Sequence, residues 1–216
     1  MPRPLIVTAV LGLVLVSSPA VASTITPSAT GTIADNGASW PALIGHHSHG
    51  TFVNAGEMGV EEERGIVEFN LAGQSIAGNV LLTFDNARYL TCCVGVTGGN
   101  YLIGIYAYSG NNAFDLSDFQ APGTLIGSFS TLGLTVGTPF SFNVTTAFNS
   151  LLGGSLGFRL QAINEPSQTS YTFGNFALTT TPAAPVPEPG TLLMLGTGLA
   201  AAAVRLRSRR ARKPGR

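Results

Sequence analysis

The sequence predicts an all-β body, a two-sheet antiparallel β-sandwich of jelly-roll type, set between an N-terminal signal peptide and a single C-terminal transmembrane helix. Three observations predict it. Short apolar runs separated by Gly, Asn, Ser and Pro fill the middle of the 216-residue chain. Helix-length periodic stretches are nearly absent there. Both ends carry uncharged apolar runs that suit trafficking better than a core. The resulting organisation is a signal peptide at 1–22, a sandwich at 23–181, a Pro-rich linker at 182–190, a membrane segment at 191–204 and a basic cytoplasmic tail at 205–216.

The N-terminus opens with Arg3 and runs apolar over 5–16, then breaks at Ser17, Ser18 and Pro19. Twelve residues span about 18 Å as a helix, short of a hydrocarbon core of about 30 Å. Ala20-Val21-Ala22 supplies small residues where a signal peptidase cuts, so the mature chain is expected to begin near Ser23.

In the body, the strand segments are 51–54, 65–71, 79–84, 89–96, 101–108, 124–129, 140–144, 155–162 and 171–178. Val67, Phe69 and Leu71 alternate with Ile66, Glu68 and Asn70, and the first set is expected to face the core. In the last segment the alternation switches phase, which a bulge at Gly174 explains. Gly98-Gly99-Asn100 forms turns, since glycine reaches positive φ without a Cβ clash. One short helix is expected at 145–152, with Thr145 or Thr146 capping its first turn.

Composition narrows the class. At 44% hydrophobic the chain is too apolar to be disordered throughout, and its 27 glycines lack a collagen period. Two cysteines make neither a zinc cluster nor a disulfide scaffold. The zero net charge hides segregation: the body holds Arg64, Arg88 and Arg159 against ten acids, a net of −7, while seven of the 11 cations lie in the last twelve residues. An acidic body repels phosphate backbones, which argues against nucleic acid as a partner.

At the C-terminus, Pro187-Glu188-Pro189-Gly190 precedes the uncharged run 191–204, and arginines follow from Arg205. Fourteen apolar residues give about 21 Å of helix, which snorkelling arginine stems extend. Basic residues beside such a run stay cytoplasmic and leave the body outside. This order resembles the PEP-CTERM sorting signal of exported bacterial proteins, with Pro187, Glu188 and Pro189 at the signature tripeptide and Arg205, Arg207, Arg209 and Arg210 in the basic cluster. The resemblance implies recognition by an exosortase-type membrane protease, a cut near the tripeptide, transient anchoring in the inner membrane, and delivery to the cell surface or an exopolysaccharide matrix.

The body resembles extracellular jelly-roll modules related to carbohydrate-binding domains over 63–71, 79–84, 142–145 and 156–160. Those modules usually carry aspartates where Asn70 and Asn143 stand here, which weakens any inherited calcium or sugar site. Rings that stack on sugars are the signature to seek, and Trp40, Tyr106 and Tyr108 are the candidates.

Other chemistry has thinner support. His46, His47 and His49 gather in one short segment, and imidazole suits zinc, copper or nickel, with Glu57 or Glu61 to Glu63 as further ligands. An ordinary solvated loop between Gly45 and Gly50 fits the same residues. Glu61, Glu62 and Glu63 with Asp85, Asp115 and Asp118 raise calcium, although no twelve-residue calcium loop is present, and Asp115 to Phe119 reads more simply as a turn. Adjacent Cys92 and Cys93 leave a strained vicinal disulfide, an intermolecular bridge and free thiols all open. Gly95, Gly98 and Gly99 lack a phosphate-loop lysine, and no carboxylate pair stands out for glycoside cleavage. The expectation is a non-enzymatic exported protein without a cofactor, with carbohydrate binding as the alternative and an extracellular hydrolase as the third reading.

Overall fold

The computed structural model describes residues 22–35, 45–47, 50–58, 61–91, 100–164, 169–183, 190, 194–202 and 205, with only the backbone described at 45–47, 58 and 89–91. The chain forms two units, Met1–Pro182 and Ala183–Arg216. In the first, the strands are β1 (Ser23–Ile25), β2 (Ala29–Ala34), β3 (Gly45–His47), β4 (Val53–Met58), β5 (Glu61–Asn70), β6 (Ala77–Thr91) and β7 (Leu102–Gly110). After a 3-10 helix (Leu116–Gln120) come β8 (Thr124–Ser130), β9 (Pro139–Asn143), α1 (Thr145–Ser150), β10 (Ser155–Ala162) and β11 (Thr169–Pro182).

All pairings among the described residues are antiparallel. Hydrogen bonds run β8-β7-β10-β5-β4-β11-β6-β9 without a break, with β2 beside β5, β3 beside β2 and β1 beside β11. The expected two sheets are therefore two halves of one folded sheet, joined where the start of β5 leaves β10 and pairs with β4. Rings bring the ends of that path face to face. Phe129 of β8 lies 4.1 Å from Phe140 of β9 and 5.5 Å from Phe173 of β11, centroid to centroid. Tyr101 ties the halves together elsewhere, its hydroxyl donating to the Thr169 carbonyl at 2.8 Å.

Alternation places Val67, Phe69 and Leu71 in the main core, as expected. The opposite face of β5 departs from expectation, because Ile66 and Glu68 are both fully buried. Ile66 joins Ile33 and Phe119 in a second small core, with Phe114 packed against it. The segment after β7 folds back across that face and covers it, so β5 has no solvent side in its middle.

Other differences have local causes. The 79–84 and 89–96 segments are not two strands up to Thr91, because β6 runs through both as one. Strands β1, β2 and β3 lie where no strand was read, in a stretch whose apolar side chains are few. Helix α1 forms, but its N-cap is Val144 with no side-chain cap bond. Asn143 Oδ1 accepts from Thr145 N instead, and Thr145 Oγ1 accepts from Val80 N at 2.9 Å. The bulge at Gly174 is present as a register break between Gly174 and Ala177, with Asn175 at φ 57°. At the far end of β11, Ser23 pairs with Thr180 and their hydroxyls meet at 2.8 Å.

Phe173 is fully buried and touches Phe84, Phe129 and Phe140 edge-on. Phe173→Ala is expected to cost about 3–5 kcal/mol through lost transfer energy and an unfilled cavity. Urea denaturation measures this, and a loss below about 1 kcal/mol would show that the ring cluster does not close the sandwich.

Candidate functional site

The outer face of the β7–β10–β5 half gathers most of the functional candidates that the structure describes. Register sets Tyr108 opposite Gly157, Tyr106 opposite Arg159 and Gly104 opposite Gln161. On β5, Glu68 stands opposite Gly157. The face has a covered half and an open half, and the two expected tyrosines fall on either side of that divide.

In the covered half, Glu68 is fully buried. Its carboxylate accepts from Tyr108 Oη at 3.2 Å, Ser155 Oγ at 3.0 Å and Asn111 N at 3.0 Å, and also from Asn112 N. A buried carboxylate survives only with such partners, and here they anchor the start of the covering segment. Asp115 caps the 3-10 helix by accepting from Ser117 N, and Asp118 returns the bond by accepting from Asp115 N at 3.0 Å. These two acids thus make the turn that their spacing suggested. Arg64 lies 3.9 Å over the Phe119 ring, donates to Phe119 O and pairs with Glu62 at 2.8 Å. Arg159 donates to the carbonyls of Asp118 and Ala121.

Tyr108 is only 4% exposed. Its ring occupies the space where any Cβ at Gly157 would sit, so it offers no open face to a sugar. The sugar-stacking role expected of it is corrected on that ground. Tyr106 is half-buried in the open half, with the Arg159 guanidinium 5.4 Å from its ring centroid. Exposed Leu125 is its partner on β8, and exposed Ile163 meets the ring over Gly104. Gln161 Oε1 accepts from Arg159 Nε at 2.7 Å and fixes that guanidinium in place.

The remaining candidates are dispersed. Asp85 accepts from Asn175 Nδ2 on the other half of the sheet, far along the chain from the glutamates of β5. Among the described residues, no three His, Cys, Asp or Glu side chains come together as a metal site. The backbones of His46 and His47 pair with β2, while their side chains, with His49, Trp40, Cys92 and Cys93, lie outside the described residues. Asn70 and Asn143 each accept a backbone N–H two residues on, which is a turn-making role. Residues 153–157 spell Gly-x-Ser-x-Gly, yet Ser155 is buried at the start of a strand and donates to Glu68, unlike the exposed serine of a strand-to-helix elbow.

In the second unit, residues 194–202 and Arg205 are helical, and Met194, Leu195 and Leu199 are exposed. Pro187, Glu188, Pro189, Arg207, Arg209 and Arg210 lie outside the described residues, as do residues 1–21. Among the described residues, no helix is long and apolar enough to cross a membrane.

Comparison with known proteins identifies the tail. Residues 185–210 match the PEP-CTERM protein-sorting motif, the mark of an exported protein. No curated protein matches the chain. Among solved structures, the xylan-binding module CBM15 is similar at a TM-score of 0.42 and 14% identity, over 76% of this chain and 99% of that one.

The covered half carries a pH dependence. Burial away from water, and then the neighbouring Glu68 and Asp115 carboxylates, push Asp118 up to about 6 from 3.8. Burial, then the Asp118 and Glu68 charges, hold the Tyr108 phenol above the usual tyrosine range. Because the folded Asp118 holds its proton more tightly than the unfolded one, its contribution to stability is full below about pH 4 and is lost as pH rises through about 6. Relative to Asp118→Asn, the wild-type chain is expected to lose about 1–3 kcal/mol between pH 4 and pH 7. Urea melts at several pH values measure it, and parallel stability curves for the two proteins would remove Asp118 as the cause.

Proposed function

We propose that the chain is a non-enzymatic exported protein whose tail is a processing signal and whose body is a cell-surface or matrix module. The PEP-CTERM motif at residues 185–210 carries this reading. Signal peptidase removes 1–22, and the apolar run 191–204 then holds the chain in the inner membrane. The arginines from Arg205 stay on the cytoplasmic side, where cations beside a membrane segment are retained. An exosortase-type protease cuts near Pro187-Glu188-Pro189 and frees the sandwich for the cell surface or an exopolysaccharide matrix. No cofactor is needed for this role.

The intact mass of native protein from cells and medium tests both cuts. The expected mature form lacks the first 22 residues and everything beyond about Glu188. Replacing Pro187, Glu188 and Pro189 with alanine is expected to retain the tail and leave the chain in the membrane fraction. Recovery of the unprocessed chain from the cytoplasm would overturn the reading.

A second reading, carbohydrate binding, is favoured by the half-open Tyr106 ring amid apolar neighbours, with Gln161 and Arg159 as polar groups beside it. Tyr106→Ala is expected to weaken retention in gels containing the producer's exopolysaccharide at least tenfold. Unchanged mobility of both proteins with and without the polymer would end this reading for that face.

A further inference from the structure

The other outer face holds a cleft built around the β11 bulge, where polar side chains stand among apolar ones. Asp85 and Thr83 are out of phase with core-facing Leu82 and Phe84 on β6 and so point away from the core, with Ser141 opposite Thr83 and Pro139 opposite Asp85 on β9. Gly174 pairs with Asp85 across β6 and β11. The missing Cβ of Gly174 makes room for the Phe52 ring, which lies 2.6 Å from where that atom would be and is 39% exposed.

Asn175 follows in a left-handed conformation that few non-glycine residues adopt. Its Nδ2 donates to Asp85 Oδ2 at 2.8 Å, while Asp85 Oδ1 is buried without a hydrogen-bond partner among the described residues. The pair forms one wall of a cleft of about 370 Å³ lined also by Thr83, Pro139, Phe140 and Ser141. A second cleft of about 350 Å³ lies on the other side of Asn175, along Thr26 to Thr30.

A carboxylate, an amide and two hydroxyls thus line one cleft with a proline and the rings of Phe84 and Phe140. Sugars present the matching chemistry, since their hydroxyls bond to carboxylates and amides while their C–H faces lie on rings. Among the described residues, no Arg, Lys or His lines either cleft, and an anionic sugar would meet the Asp85 charge there. We propose that the cleft between Asp85 and Asn175 binds a neutral glycan through its hydroxyls. This site takes the carbohydrate reading as its starting point but lies on the face of the sandwich away from Tyr106.

The test is calorimetric titration of the full chain in detergent with xylohexaose, cellohexaose, mannohexaose and, as the anionic control, a galacturonate oligomer. Binding of at least one neutral oligosaccharide and not of the galacturonate is expected. Asn175→Gly removes the amide at a backbone angle that glycine takes freely, so the melting temperature should hold or rise while affinity falls at least tenfold. Asp85→Asn, which removes the charge and keeps the shape, should also weaken binding tenfold or more. Failure to bind any neutral oligosaccharide, preference for the galacturonate, or unchanged affinity in both variants would overturn the proposal. Loss of binding in Tyr106→Ala with Asn175→Gly unaffected would overturn it too, and would assign the sugar to the first face. Processing at both chain ends without neutral-glycan binding would sink the cleft alone and leave the sorting reading intact.

Discussion

The body depends on a single strand that has to be buried on both sides. β5 sends Val67 and Phe69 into the main core and Ile66 and Glu68 beneath the segment that follows β7. It also pairs with β10, β4 and β2, so the folded sheet turns its corner at this strand. A carboxylate in that position would be costly if any bond were missing, and Glu68 is met by a phenol, a serine and two backbone amides. Loop placement, the 3-10 helix and the orientation of Tyr108 all follow from satisfying it.

The two outer faces of the sandwich have therefore been treated differently. One is half roofed by Phe114 and Phe119, with Arg64 and Arg159 tied to the carbonyls of the same segment. The other stays open around a bulged strand, and its polar groups are side chains with bonding capacity to spare. Two of the body's three arginines are thus committed to holding the roof.

Much of this was legible in the chain because period-two alternation leaves a direct mark. The core side of β5, the short helix and the switch at Gly174 were all readable from residue order. Strands β1 and β2 were not, since Thr, Ser, Ala and Gly outweigh Ile25 and Ile33 there, and these strands are held by their partners β11 and β5. Tyr108 could not be told from Tyr106 by sequence, because the two share a face and differ only in what lies above them. Glu68 reads as a surface residue until Asn111 and Tyr108, more than 40 positions away in the case of Asn111, close over it. Phe52, Asp85 and Asn175 likewise carry no shared signal, being brought together only by the pairing of β6 with β11 and the gap at Gly174.

The pairing of Ser23 with Thr180 brings the entrance and exit of the body side by side. A cut in the chain before Ser23 or after Pro182 would therefore spare both strands of that pair, so trimming at either extremity need not open the body.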